Sequence, residues 1–187
     1  LGFLEVGSDE HAEAEFDARS LDVWVPPAPP RRADGALSIP GLQVGYLAFQ
    51  TEKEPFSRKK IRQAVAAALA PAVIGVALER VAVPLQSFLP PGAWARREGS
   101  PVLGGTRDTV RALLGEGGWP KGFKLTLVAP AQPEPLKVAK LAETIQIMLG
   151  AADIPIEVRV EPAEAARGAL QAGEHDITLM EAAVAGG

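Results

Sequence analysis

Ile154-Pro-Ile-Glu-Val-Arg-Val-Glu161 is the stretch on which the fold turns. Ile154, Ile156, Val158 and Val160 alternate with Glu157, Arg159 and Glu161, the period-two pattern of a strand with one apolar and one polar face. Upstream, Pro135 to Gly150 carries Val138, Leu141, Ala142, Ile145, Met148 and Leu149 at helical spacing, with Lys137, Lys140 and Glu143 opposite. Before that helix, Phe123, Leu125 and Leu127 alternate with Lys124 and Thr126 and predict another strand. Downstream, Pro162 opens a helix through Leu170 that Gly173 closes, and Ile177 to Met180 read as the last strand. Strand, helix, strand, helix, strand with short connections defines a layered α/β domain whose sheet is at least partly parallel.

Working toward the N-terminus, Thr106 or Asp108 caps a short helix that turns Val110, Leu113 and Leu114 inward and ends at Gly117-Gly118. Val44-Gly-Tyr-Leu-Ala-Phe-Gln-Thr51 is apolar on both faces and predicts a buried strand. Pro55 and Ser57 then start a helix, with Ser57 as N-cap and Ile61, Val65, Ala68 and Leu69 on one face. Arg58, Lys59, Lys60 and Arg62 oppose the dipole of that helix, so solvation or a partner surface explains them better than helix stability. With Ala64 to Leu78 they imitate a membrane segment, but a span needs about 20 apolar residues and Pro71 interrupts this one. A buried helix pair or helix-turn is the expectation. Residues 1–43 predict a strand (Phe3, Leu4, Val6), an acidic helix from Asp9 to Asp17, and a strand at Val23-Trp24-Val25. A stiff linker follows at Pro26, Pro27, Pro29 and Pro30.

Composition narrows the function classes. The 187 residues are 47% hydrophobic and 22% charged, ordinary globular values. A net charge of -4 gives no overall attraction to nucleic acid or anionic lipid. There is no cysteine, hence no thiol nucleophile, disulfide or thiolate metal site. The two histidines, His11 and His175, are too far apart in sequence for a local metal pair. His11 lies among carboxylates that a helix scatters around its circumference, so a solvated acidic face is expected rather than a metal site. His175-Asp176 suggests acid/base work, yet a turn-stabilising aspartate is the default there. The glycines at 104, 105, 115, 117 and 118 lack the Gly-Lys-Ser/Thr of a phosphate loop, and no Gly-x-Ser-x-Gly elbow occurs. No catalytic residue, metal site or cofactor is therefore expected. Leu1 is not preceded by a charged region and apolar stretch, which leads us to expect a processed fragment without its own signal peptide.

Several motifs carry a family resemblance. Gly45-Tyr-Leu-Ala-Phe-Gln-Thr-Glu-Lys-Glu-Pro-Phe-Ser57 followed by Ile61-Arg-Gln-Ala64 resembles the strand and helix that open the second lobe of family 5 solute-binding proteins of ABC transporters, the dipeptide, oligopeptide and nickel binders. Leu89-Pro-Pro-Gly-Ala-Trp94 looks like the family's Pro-Pro-Gly-x-Trp loop, and Leu113-Leu-Gly-Glu-Gly-Gly-Trp-Pro-Lys-Gly-Phe-Lys-Leu-Thr-Leu127 like its helix, glycine-rich turn and strand. Ala142-Glu-Thr-Ile-Gln146, Ile154-Pro-Ile-Glu-Val158 and Gly173-Glu-His-Asp176 follow in the family's order.

The resemblance implies a periplasmic-binding-protein-like (type II) lobe, a mixed sheet flanked by helices. Residues 42–187 would be the second lobe, without its return segment, and residues 1–41 a remnant of the first lobe with a hinge-side linker. Such a lobe captures a peptide or similar solute against its partner lobe and delivers it to an ABC permease. The full-length protein would be periplasmic or extracellular and membrane-associated, with no nucleic-acid partner and no membrane insertion by this segment. The resemblance points to Tyr46, Phe49, Gln50, Trp94, Glu181, Ala182 and Ala185 as cleft candidates. The family typically has a tryptophan at the position of Ala182 and, at that of Ala185, an aspartate that pairs with the peptide's amino terminus. Neither is present, and Glu181 substitutes only if the backbone departs locally from the family's. A cytoplasmic effector-sensing or interaction domain built on the same lobe, with ligand binding kept or lost, is the alternative.

Overall fold

The computed structural model describes residues 7–26, 36–37, 41–78, 82–83, 85, 87–91, 93, 96, 104–131 and 138–183. The expectations for Phe3, Leu4, Val6, Pro27, Pro29, Pro30, Trp94, Pro135, Lys137 and Ala185 lie outside these residues. The chain divides into two units, Leu1–Ser38 and Ile39–Gly187.

The first unit contains α1 (Asp9–Asp17), capped by the Ser8 hydroxyl accepting from the His11 amide at 3.2 Å. Asp9 and Glu10 in its first turn suit the positive end of the helix dipole. Phe16 leans on Trp24 with ring centroids 6.2 Å apart. Val23, Trp24 and Val25 form no strand, contrary to the sequence expectation, and Val23 and Val25 are exposed. A strand needs a ladder partner, and this unit offers none among the described residues.

In the second unit the elements are β1 (Gln43–Phe49), α2 (Lys59–Ala68), α3 (Pro71–Ala77), α4 (Arg107–Gly117), β2 (Leu125–Pro130), α5 (Val138–Ala151), β3 (Ile156–Glu161), α6 (Ala163–Gln171) and β4 (Ile177–Ala183). The sheet order is β1-β4-β2-β3. β2 is parallel to both β3 and β4, and β1 is antiparallel to β4. The alternation read around Ile156 and Val158 is therefore that of an edge strand. The register Leu125↔Ile156, Leu127↔Ile177 and Leu47↔Leu179 puts these apolar residues on one face. There they meet Ile61 and Val65 of α2, Val110 and Leu114 of α4, and Leu141, Ile145 and Leu149 of α5 in one core. The opposite face is covered at Val128 by Ala166 and Ala169 of α6. The crossovers β2-α5-β3 and β3-α6-β4 thus run on opposite sides of the sheet.

Four local readings change. β1 is an edge strand, so only Val44 is buried and the remainder is half-covered or exposed. The α2 N-cap is Arg58, not Ser57, and no side chain caps it. Arg58, Lys60 and Arg62 are engaged instead. Arg58 donates to the Gly117 and Gly118 carbonyls at 3.0 and 2.9 Å and pairs with Glu54 at 2.8 Å. Arg62 donates to the Phe56 and Ser57 carbonyls at 2.6 and 2.9 Å, and Lys60 pairs with Glu116 at 2.7 Å. The dipole conflict is thereby offset by carbonyl dipoles and carboxylates. β2 starts at Leu125, because Phe123 turns aside to pack edge-on against Trp119 at 5.3 Å. β4 runs on to Ala183, beyond Met180, since β1 pairs with it along its whole length.

Among the described residues no single helix is long and apolar enough to cross a membrane, and α2 and α3 are bent by 54° from each other. α2 buries Ile61, Ala64, Val65 and Ala67 in the protein core.

The loop from α5 to β3 is tied to α4 by Asp153, whose carboxylate takes Arg107 at 2.6 and 3.2 Å and Arg111 at 3.3 Å. These hydrogen bonds, Arg107 first, hold its acidity below the ordinary carboxylate range. A carboxylate lowered on folding contributes stability above its unfolded pKa of 3.8 that is lost as pH falls. The Asp153→Asn variant is expected to have a slightly lower urea midpoint at neutral pH, slight because the pair is exposed, and a correspondingly shallower loss on acidification below about pH 4, so that it converges with the wild type in acid.

Candidate solute-facing rim of the sheet

In open α/β sheets ligands bind outside the carboxyl ends of the strands, where adjacent connections leave on opposite sides. Here β2 and β3 end together at Pro130 and Glu161, while β4 runs on past the level of Pro130 to Ala183, and the antiparallel β1 begins beside its end with Gln43. β2 leads toward α5 and β3 toward α6, which flank opposite faces, so this rim is the switch point of the fold.

Register decides which side chains meet at the rim. Gln43 faces Ala183, Val44 faces Ala182 and Gly45 faces Glu181. The Gln43 side-chain amide donates to the Glu181 carboxylate at 2.7 Å. Regular pairing persists through Ala183, so Glu181 shares a face with Leu179 and Leu47, while Ala182 shares the other with Met180, Tyr46 and Val44. Glu181 therefore does not take over the place of Ala182. Tyr46 sits opposite Met180, and its ring meets Phe88 edge-on at 5.2 Å. Phe88 and Met180 are both open to solvent at this face.

Phe49 and Gln50 lie at the other end of β1, about 20 Å from the rim at roughly 3.3 Å per residue. Phe49 stacks on the fully buried Phe56 at 5.4 Å. The Gln50 amide donates to the Asp176 carbonyl at 2.8 Å. Both serve the join between β1 and the start of β4. The structure thus puts Tyr46 and Ala182 on one face of the β1–β4 pair and Glu181 on the other, with Glu181 and Ala182 at the rim and Phe49 and Gln50 at the far end of β1; Trp94 and Ala185 lie outside the described residues.

Two contributions to the rim were not foreseen. Gln43 was placed before the strand, and its pairing with Glu181 depends on a register that sequence does not reveal. Arg159 and Glu161 were read only as the polar face of β3. In the fold Arg159 pairs with Glu161 at 2.6 Å through Nη2 and 2.8 Å through Nε, partly buried beside the end of β2. Their spacing on one strand face was a usable signal.

The His175-Asp176 pair forms no acid/base dyad. The Asp176 carboxylate accepts the Thr126 amide at 2.8 Å, while His175 Nδ1 is buried without a hydrogen-bond partner. Among the described residues no group of His, Asp and Glu is arranged to hold a metal ion. An open groove of about 310 Å³ lined by Phe49, Lys59, Arg62, Gln63 and Ala66 lies at the pole away from the rim.

A mixed sheet flanked by helices, with an open switch-point rim, is the architecture of one lobe of a two-lobed periplasmic binding protein. The chain belongs to the bacterial extracellular solute-binding proteins, family 5 Middle, whose pattern it matches over residues 3–185. It is 33% identical over 113 residues to the dipeptide-binding protein of Escherichia coli K12, covering 59% of this chain and 21% of that protein. It is 29% identical over 122 residues to heme-binding protein A of Haemophilus influenzae, covering 62% and 22%. The crystal structure of a dipeptide-binding protein from Pseudoalteromonas sp. SM9913 in complex with Met-Leu superposes with a TM-score of 0.68 at 27% identity, over 76% of this chain and 29% of that one. HbpA2 of Haemophilus parasuis gives a TM-score of 0.71 at 20% identity, a likeness of fold, over 77% of this chain and 29% of that one. The chain spans about a fifth of the length of the curated relatives it matches.

Proposed function

We propose that residues 42–187 form the second lobe of a substrate-binding component of an ABC-type peptide import system, with residues 1–41 a remnant of the first lobe. The protein works outside the cytoplasmic membrane, captures a peptide or similar small solute between two lobes, and presents it to a membrane permease. The observation that carries this reading is the register that gathers Gln43, Glu181 and Ala182 at the carboxyl-end rim of a family 5 lobe. The named relatives bind dipeptide or heme, which supports binding rather than catalysis.

On one face of the β1–β4 pair Tyr46 and Phe88 offer an apolar wall; on the other, at the rim, Glu181 offers a polar group, and the Arg159–Glu161 pair adds charged groups at the end of β3. Ala182 leaves room at the rim where the family typically carries tryptophan, space that a bulkier solute group would use. Hinge closure follows from tighter binding to the closed than to the open arrangement.

Calorimetry of the full-length protein against a peptide library is expected to give heats of binding, while the 187-residue chain alone shows none at concentrations that saturate the full-length protein. Absence of heat with every peptide would overturn the ligand class. Equal affinity of the isolated chain would overturn the two-lobed site.

A further inference from the structure

We propose that His175 is a pH-sensitive latch that holds the loop between β1 and α2 against the turn entering β4. The turn follows α6 and passes through Gly173, whose φ of 68° lies in the left-handed region that glycine favours. Two bonds tie the loop to this turn: the Lys53 ammonium donates to the Gly173 carbonyl, and the Gln50 amide donates to the Asp176 carbonyl at 2.8 Å. His175 stands between those two ties with Nδ1 buried and unpartnered. The Asp176 carboxylate is held by the Thr126 amide at 2.8 Å.

The charged groups acting on the ring are Lys53 from the loop and Asp176 beside it on its own segment. Burial holds the imidazole below its ordinary range; Lys53 pushes in the same direction and Asp176 opposes both. A neutral ring is compatible with the ammonium of Lys53 nearby. A second ring proton places a cation where no acceptor faces Nδ1 and repels Lys53 from the Gly173 carbonyl. Because the folded pKa is depressed, this contribution is complete above the unfolded value of 6.5 and is lost as pH falls toward the folded one. The latch is therefore closed at neutral pH and opens on acidification.

The test is proton NMR and amide hydrogen exchange on the 187-residue chain. With only two histidines, His175→Gln assigns the His175 ring resonance against His11. The wild type is expected to titrate His175 below its ordinary range and to lose amide protection at Gln50 as the pH falls below 6.5, after correction for intrinsic exchange. His175→Gln is expected to hold the same protection across that range, and Lys53→Met to raise the His175 midpoint without moving that of His11. A His175 midpoint at or above the ordinary range, Gln50 protection that does not change with pH, or an unchanged loss in His175→Gln would each overturn the latch. If His175→Gln fails to fold, His11→Gln at an exposed position of α1 makes the same assignment, and the wild-type titration and Gln50 protection then decide the question.

Discussion

Gly117→Val is expected to lower the urea midpoint of the second unit sharply, whereas Gly115→Ala in the same helix is expected to raise it. The two glycines differ only in what faces them. A Cβ at Gly117 would stand 2.6 Å from Cδ1 and 3.0 Å from Cγ1 of Ile61, and 3.2 Å from the Ile61 backbone nitrogen. Ile61 is fully buried in the core that α2 and α4 share, so its side chain has nowhere to withdraw. The backbone contact means that even a new rotamer leaves α2 and α4 too close. Arg58 crosses the same junction to the Gly117 and Gly118 carbonyls, so separating the helices also stretches those bonds. Overpacking of this kind costs about 1–3 kcal/mol, and the branched valine belongs at or above the upper end, with alanine lower. At Gly115 nothing lies within 4 Å of the Cβ position. Alanine there removes backbone entropy from the unfolded chain and is worth about 0.5–1 kcal/mol. Equal midpoints for Gly117→Val and wild type would show that α2 and α4 are not in this close contact.

The layered α/β class was legible because its signals are local. Alternation at Ile156 to Glu161, helical spacing at Val138 to Leu149, and the Thr106 cap and Gly118 stop of α4 each depend on neighbours a few residues away. Thr106 does accept the Thr109 amide at 3.3 Å, and Gly118 does adopt φ 68°. What escaped was set by distant segments. Val44 to Thr51 read as buried on both faces, because sequence does not say that β1 is an edge strand. Val23 to Val25 had strand residues but, among the described residues of their unit, no strand to pair with.

The rim was legible only in part for the same reason. Tyr46 and Phe49 looked equivalent in one apolar run, yet antiparallel pairing with β4 carries Phe49 to the far end of the sheet. The basic residues of α2 seemed available to a partner, but the carbonyls and carboxylates that engage Arg58, Lys60 and Arg62 come partly from α4 and from the preceding loop. Family resemblance supplied the position of Ala182, and register supplied its neighbours.

Asp176→Ala is expected to destabilise the second unit by about 1–3 kcal/mol, the range for leaving a hydrogen-bond donor without its acceptor, and toward the lower end because the bond to the Thr126 amide is only part-buried. Asp176 joins three strands. Its carboxylate accepts the Thr126 amide at 2.8 Å, its own amide donates to the Thr126 carbonyl at 3.0 Å, and its carbonyl accepts the Gln50 amide at 2.8 Å. Alanine preserves both backbone bonds and removes only the carboxylate, so the Thr126 amide, next to the fully buried Leu125, loses its acceptor. Asn keeps an acceptor without the charge, and Asp176→Asn is expected to lose less than half as much. Urea denaturation of the three proteins at pH 7 and constant salt separates these cases, and equal midpoints for wild type and Asp176→Ala would sink the strand-joining role. The effect extends to the rim because Asp176 is the last residue before β4 and fixes where that strand begins against β2 and β1. A slip of one residue in β4 would exchange the faces of Glu181 and Ala182. Full-length protein carrying Asp176→Ala should then lose solute affinity along with stability, while a surface change of equal destabilisation, distant from the sheet, should leave affinity intact.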